Sequence, residues 1–301
     1  MLTIYIPTYR RPDSLKSQLA SLGLEIAALQ VPMSSVKVVV SVNGEHENKE
    51  TVTWLNSHAK LMPWLRIIVR PYNIGGNANI ALGFVEGERD DYLWLLSDND
   101  ILPQGALRRI LRVLGTNAFP DVLILTNRAF DNLTKVVYDE IADWAQCPLI
   151  SLGLISRGVY SMQYISSSLE SAFLYNSSSF PHLAVLLSSL RSNGDILVYE
   201  FGQCNFLEPP RSSLDYIGKY DLSFAGRAQL IPLLPRKARL AYARELLKYG
   251  SVDLARSFST YRHVAICSVA IILAYVPCLL FGIPFYVIHD VYIRAIAKAY
   301  R

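Results

Sequence analysis

Short apolar runs alternate with amphipathic stretches from the first residues of this chain onward. Leu2 to Ile6 reads as a buried strand closed by Pro7-Thr8-Tyr9-Arg10-Arg11-Pro12. Asp13 and Ser14 then open a helical stretch that places Leu15, Leu19 and Leu22 on one face. Val36 to Val42 is a second strand, stopped by Asn43-Gly44, and a polar helical segment runs from about Glu45 to Ala59. Leu65 to Val69 is a third strand, and Pro71 to Asn77 is a turn feeding a helix over Ala78 to Val85. Tyr92 to Leu96 is a fourth strand, followed by Asp98-Asn99-Asp100 and a helix beginning near Pro103. Strands and helices alternating at this spacing predict an α/β fold, a mainly parallel sheet with helices on both faces. The loops Pro7–Arg11, Asn43-Gly44, Asn73–Asn77 and Asp98–Asp100 then share one edge. In such sheets ligands bind outside the carboxyl ends of the strands.

The Asp-x-Asp tripeptide is the chemically most informative part of that edge. Hard divalent cations take oxygen ligands and commonly bridge one or two carboxylates to substrate phosphates. The alternative is that Asp98 or Asp100 caps the helix near Pro103. The pair Gly75-Gly76, next to Asn73, makes a turn whose backbone can approach a ligand closely, or an ordinary strand-to-helix connection.

Four segments in this order resemble a family 2 glycosyltransferase. They are Ile6-Pro7-Thr8-Tyr9-Arg10-Arg11-Pro12, Val40-Ser41-Val42-Asn43-Gly44, Asn73-Ile74-Gly75-Gly76-Asn77-Ala78-Asn79-Ile80 and Trp94-Leu95-Leu96-Ser97-Asp98-Asn99-Asp100. The resemblance points to the abequosyltransferase-like enzymes of bacterial surface-polysaccharide assembly and covers about the first third of the chain. Ile165-Ser166-Ser167-Ser168 and Phe180-Pro181-His182-Leu183 fit more loosely. The resemblance implies a GT-A (Rossmann-like) fold and inverting sugar transfer from a nucleotide-sugar donor. It places Pro7, Thr8, Tyr9, Arg11, Asn43, Asn73, Gly75, Gly76, Asn77 and Asp98 on the donor, and Asp98 and Asp100 on Mg²⁺ or Mn²⁺. Tyr9 either stacks on the base or covers the sheet edge.

Two departures from the family pattern matter. Where the family carries an acidic residue at the second-strand loop, this chain has Val42, which leaves Asn43 to contact the base. Where it places a carboxylate before a helix as general base, this chain has His182, ahead of the apolar helix Ala184 to Leu190. Imidazole suits base catalysis near neutral pH. The alternative is that His182 makes a hydrogen bond at a helix start, or a metal or phosphate contact, and Glu170 is the second candidate base.

A chain of 301 residues holds one large α/β domain and an appendage. The boundaries expected are a catalytic domain over 1–215, split into a donor half 1–115 and an acceptor half 116–215, and an appendage over 216–301. Cys147, Cys204, Cys267 and Cys278 have no paired spacing, which fits a reducing compartment. Met1 leads straight into the first strand, with no signal-peptide pattern. The net charge of +4 is concentrated near the C-terminus. Arg236, Lys237, Arg239, Arg244, Lys248, Arg256 and Arg262 are opposed only by Glu245 and Asp253. This basic amphipathic stretch either packs on the catalytic domain or lies on an anionic membrane. It carries no nucleic-acid-binding motif.

Beside it, Val264 to Ile288 contains no formal charge and as a helix is about 37 Å long, enough to cross ~30 Å of hydrocarbon. Pro277, Gly282 and Pro284 interrupt it, and Arg262, Arg294, Lys298 and Arg301 flank both sides. A re-entrant hairpin accounts for both features better than a full span, and a buried helix pair at a dimer interface is the alternative. The expected partners are a nucleotide-sugar, a lipid-linked (polyprenyl diphosphate) saccharide acceptor and the cytoplasmic face of the cell membrane. No Q-x-x-R-W signature of processive synthases occurs, so single-sugar addition is expected. The competing readings are a catalytically silent membrane-bound sugar-nucleotide-binding or scaffold protein and a nucleotidyltransferase. The latter normally needs a glycine-rich basic loop after the first strand, which Pro7-Thr8-Tyr9-Arg10 is not.

Overall fold

A computed structural model describes residues 1–29, 35–89, 91–115, 119–127, 131–178, 180–202, 229–239 and 241–242. Strands β1 (Leu2–Thr8), β2 (Val36–Val42), β3 (Leu65–Val69) and β4 (Tyr92–Leu95) run parallel in the order β3-β2-β1-β4. The sheet continues with β7 (Gly158–Ser161), β5 (Val122–Leu125), β8 (Asp195–Phe201) and β6 (Asn132–Val137). Only β6 and β7 run against the rest. The mainly parallel sheet read from the sequence is therefore present, extended by a mixed half.

Helices cover both faces because the strands are apolar on both. On one face α1 (Pro12–Ala27), α2 (Lys49–His58) and α4 (Ala106–Leu114) bury Leu15, Leu19, Leu22, Leu55, Leu107 and Ile110 against Ile4, Val38, Val40 and Trp94. On the other lie α3 (Gly76–Gly83), the short α5 (Met162–Ile165) and α6 (Glu170–Leu174), and α7 (Pro181–Asn193). Their core joins Tyr5, Ala81, Phe84, Leu183, Leu186 and Leu187 to strand residues Val39, Leu95 and Ile124. α3 lies so close to the sheet that a Cβ on Gly83 would stand 2.7 Å from both Tyr5 and Leu95 side chains. Only glycine permits that approach.

Element boundaries moved where polar groups intervene. The stretch from Glu45 is broken into a 3₁₀ turn, His46–Asn48, before α2, because Asn48 is tied to the preceding loop. α4 begins at Ala106 rather than at Pro103 because its cap comes from another helix. The Glu25 carboxylate on α1 accepts the Gly105 N–H at 2.6 Å and the Leu107 N–H at 3.1 Å. A carboxylate there satisfies orphan donors and complements the positive end of the helix.

The described part of the chain past residue 228 joins the main core. Leu230, Ile231, Leu233, Leu234, Ala238 and Tyr242 are buried in it, and Tyr242 meets Trp144 edge-on. The described start of the basic stretch, through Ala238 and Tyr242, thus packs on the core of the sheet domain. Residues 243–301, with the apolar run and its predicted membrane hairpin, lie outside the described residues, as does most of the predicted 216–301 appendage. Among the described residues no helix is long and apolar enough to cross a membrane. Glu25→Ala should lower the unfolding free energy by about 2 kcal/mol, the loss of two charge-assisted bonds at a helix start. Urea denaturation with an unchanged m-value would show this, and a shift near zero would refute the cap.

Candidate functional site

The order of strands reverses between β1 and β4, which opens a crevice at their carboxyl ends. Thr8 is the last residue of β1, and Asp98 stands three residues past the end of β4. The Thr8 hydroxyl donates to Asp98 Oδ2 at 2.9 Å, and Arg11, from the turn before α1, donates to Oδ1 at 3.1 Å. The Tyr9 backbone N–H also donates to this carboxylate. Asp98 is 4% exposed. Burial raises its pKa, opposed by the Arg11 charge and the bonds from Thr8, Arg11 and Tyr9. Asp100 and Tyr9 are half-buried on the same edge.

The other loops of this edge are held to one another by amides. Asn48 accepts the Arg10 N–H at 2.5 Å and donates to the carbonyls of Asn43 and Gly44 at 3.0 and 2.6 Å. Arg10 itself takes a left-handed φ of 55° to turn the first loop. Asn43 donates to Asn73 Oδ1 and accepts the Ile74 N–H, both at 2.9 Å, and Asn73 also accepts the Gly75 N–H. Gly75, with φ 86°, turns the chain into α3 in a conformation that side-chain-bearing residues avoid. Below it Asn79 takes hydrogen bonds from Tyr5 and Ser41 and returns one to the Ser41 carbonyl.

The expected donor and metal residues are therefore gathered on one edge: Pro7, Thr8, Tyr9, Arg11, Asn43, Asn73, Gly75, Gly76, Asn77, Asp98 and Asp100. Asn43, and Val42 before it, have altered meaning. Asn43 is 2% exposed and braces the second and third loops rather than opening toward a base. Val42 is the last residue of β2 and fully buried between Thr8 and Val69.

The two base candidates do not join this cluster. His182 is at the correct end of α7 but is 1% exposed, with Nε2 on the Leu152 carbonyl at 2.8 Å. Nδ1 is buried without a hydrogen-bond partner, and burial lowers the ring's pKa to about 4. The geometry corrects the base assignment: this ring pins the segment ahead of β7 and presents no nitrogen to a substrate. Glu170 is exposed at the start of α6. The next residue, Ser171, donates to Ser188 at 2.8 Å, six positions along α7 from His182.

Several residues of the site were missed from sequence. Gln18 donates from α1 to the Ser97 and Asp100 carbonyls, and the Ser156 hydroxyl accepts the Ser97 N–H. Gln18 and Glu25 share the apolar stripe of α1 with Leu15, Leu19, Leu22 and Ile26. Polar residues on an otherwise apolar helical face were the available signal. Asn48 and Ser156 gave none.

His182 also has a pH consequence. Below about pH 6.5 the unfolded chain binds a proton that the folded ring refuses until about pH 4, so stability falls as pH drops through that window. His182→Gln should flatten that fall in urea titrations between pH 7 and 4.5. An unchanged slope would show that another group causes it.

No family model matches the chain, and no curated protein matches it in sequence. Its fold does match solved structures. Staphylococcus aureus TarS 1–349 in complex with UDP superposes with a TM-score of 0.54 at 13% identity, covering 87% of this chain and 73% of that one. TarS 1–349 in complex with UDP-GlcNAc gives the same score at 12% identity, covering 87% and 74%. The mannosyltransferase PcManGT from Pyrobaculum calidifontis, in complex with GDP-Man and Mn²⁺, gives 0.50 at 11% identity, covering 99% and 86%. At these identities the likeness is one of fold: the chain shares the α/β architecture of these structures.

Proposed function

We propose that this protein is a nucleotide-sugar-dependent glycosyltransferase that adds one sugar, with inversion, to a saccharide carried on a polyprenyl diphosphate at the cytoplasmic face of the membrane. The observation that carries this reading is the buried Asp98 joined to Thr8, Tyr9 and Arg11 across the β1–β4 crevice, with Asp100 beside it. The nucleotide and nucleotide-sugar complexes of the structural neighbours support the donor class. The abequosyltransferase-like motifs and the basic, apolar C-terminal sequence support the acceptor class and the location.

The donor set suits a hard cation. Among the described residues no three His, Cys, Asp or Glu side chains converge as a closed metal site. Two carboxylates are enough for Mg²⁺ or Mn²⁺ when the remaining ligands are diphosphate oxygens and water. Asp100, backed by Asp98, would hold the ion, which when bound offsets charge on the leaving diphosphate. Arg11 is one-third exposed while paired to Asp98, so its guanidinium meets both the carboxylate and the mouth of the crevice. Its fork favours phosphate oxygens. Tyr9 flanks the nucleoside. His182 and Glu170 are given no proton transfer.

A panel of UDP- and GDP-sugars, with and without Mn²⁺, provides the test. The true donor should raise the melting temperature and be slowly hydrolysed, and at 100 times its Kd it adds about 2.7 kcal/mol to stability. Asp100→Ala should abolish transfer and keep the fold. Absence of any nucleotide-sugar effect, or full activity in excess chelator, would defeat the donor or the metal part respectively. For the membrane part, detergent but not high salt should release the full chain from membranes. A chain that stays in the aqueous fraction throughout would refute it.

A further inference from the structure

We infer that Gln18 is a positioning residue that sets the backbone from which Asp98 and Asp100 project, an inference that rests on the metal reading above. Gln18 is fully buried on α1 among leucines that pack on the sheet. Its Nε2 donates to the Ser97 carbonyl and, at 3.1 Å, to the Asp100 carbonyl. Both partners are acceptors, so only the NH₂ end of the amide can face them, and the side-chain orientation is unambiguous. The Asp100 N–H returns to the Ser97 carbonyl at 3.3 Å, closing a four-residue turn. A single amide thus holds both ends of the turn that carries the carboxylates. Fixing two carbonyls fixes two peptide planes, and with them the directions of the intervening side chains.

The arrangement has a cost that points the same way. Gln18 Oε1 is buried with no hydrogen-bond partner. Leaving such an oxygen unsatisfied opposes folding. A leucine or methionine would fill this position on the apolar stripe without that cost, so what the amide contributes is its hold on the turn. Outer residues that orient ligands commonly change metal affinity by ~10–100-fold when removed.

Mn²⁺ binding to the full chain, read from the EPR signal of free Mn²⁺ with UDP and with GDP in parallel, tests this without turnover. Gln18→Met should raise the Mn²⁺ dissociation constant ~10-fold while metal-free nucleotide affinity stays within about twofold. Gln18→Glu keeps size and polarity but turns an acceptor toward two carbonyls, and should weaken Mn²⁺ similarly if the methionine variant does not fold. Wild-type Mn²⁺ affinity in a folded Gln18 variant overturns the inference, as does an equal loss of metal-free nucleotide binding. Asp100→Ala separates the two levels. If it abolishes Mn²⁺ binding while Gln18→Met leaves the Mn²⁺ affinity unchanged, only the Gln18 role falls. If the wild type shows no specific Mn²⁺ site, or Asp100→Ala binds Mn²⁺ as tightly as the wild type, the metal reading falls and Gln18's role with it.

Discussion

The Asp98 carboxylate, buried between the ends of β1 and β4, is the constraint on which this edge of the molecule depends. Taking a carboxylate out of water is costly unless hydrogen bonds and a counter-charge replace the solvent. Thr8, Tyr9 N–H and Arg11 provide those replacements, and all three come from the end of β1 and the turn that follows it. Satisfying one buried charge therefore fixes the first loop against the fourth. It also turns Arg11 toward the crevice mouth, since one side of its guanidinium is occupied.

Around this pair the edge is stiffened by amides rather than by apolar packing. Asn48 joins the first and second loops, Asn43 and Asn73 join the second and third, and Gln18 closes the fourth from beneath. Short polar side chains suit this purpose because loop backbones expose donors and acceptors that no ladder satisfies. An edge built from polar loops has few apolar groups to spare for holding itself in shape. Arg10, Gly44 and Gly75 take left-handed φ values in the first three of these loops.

The far half of the sheet serves a different end. β7 runs back beside β4, and the segment before it, with Ser156, reaches the Ser97 amide and the Trp94 indole. His182 holds this segment through the Leu152 carbonyl. A residue two positions into a helix at the carboxyl edge thus supports the site by packing, where proximity along the chain had suggested chemistry.

The sequence by itself determined the four parallel strands, the helices between them and the edge where their loops meet. Apolar runs such as Val36–Val42 bury on both faces whatever surrounds them, and the interruptions at Pro7, Asn43, Gly75 and Asp98 follow from local backbone preference. Tertiary structure alone decided which polar groups face a ligand and which face protein. His182 and Asn43 looked available and are buried, whereas Gln18 and Glu25, polar residues on the apolar stripe of α1, are an internal donor and acceptor. Burial and partner choice are properties of residues far apart in the chain, such as Gln18 with Asp100 or His182 with Leu152. Periodicity reports which way a side chain points along its own helix, and says nothing of the carbonyl it will meet there.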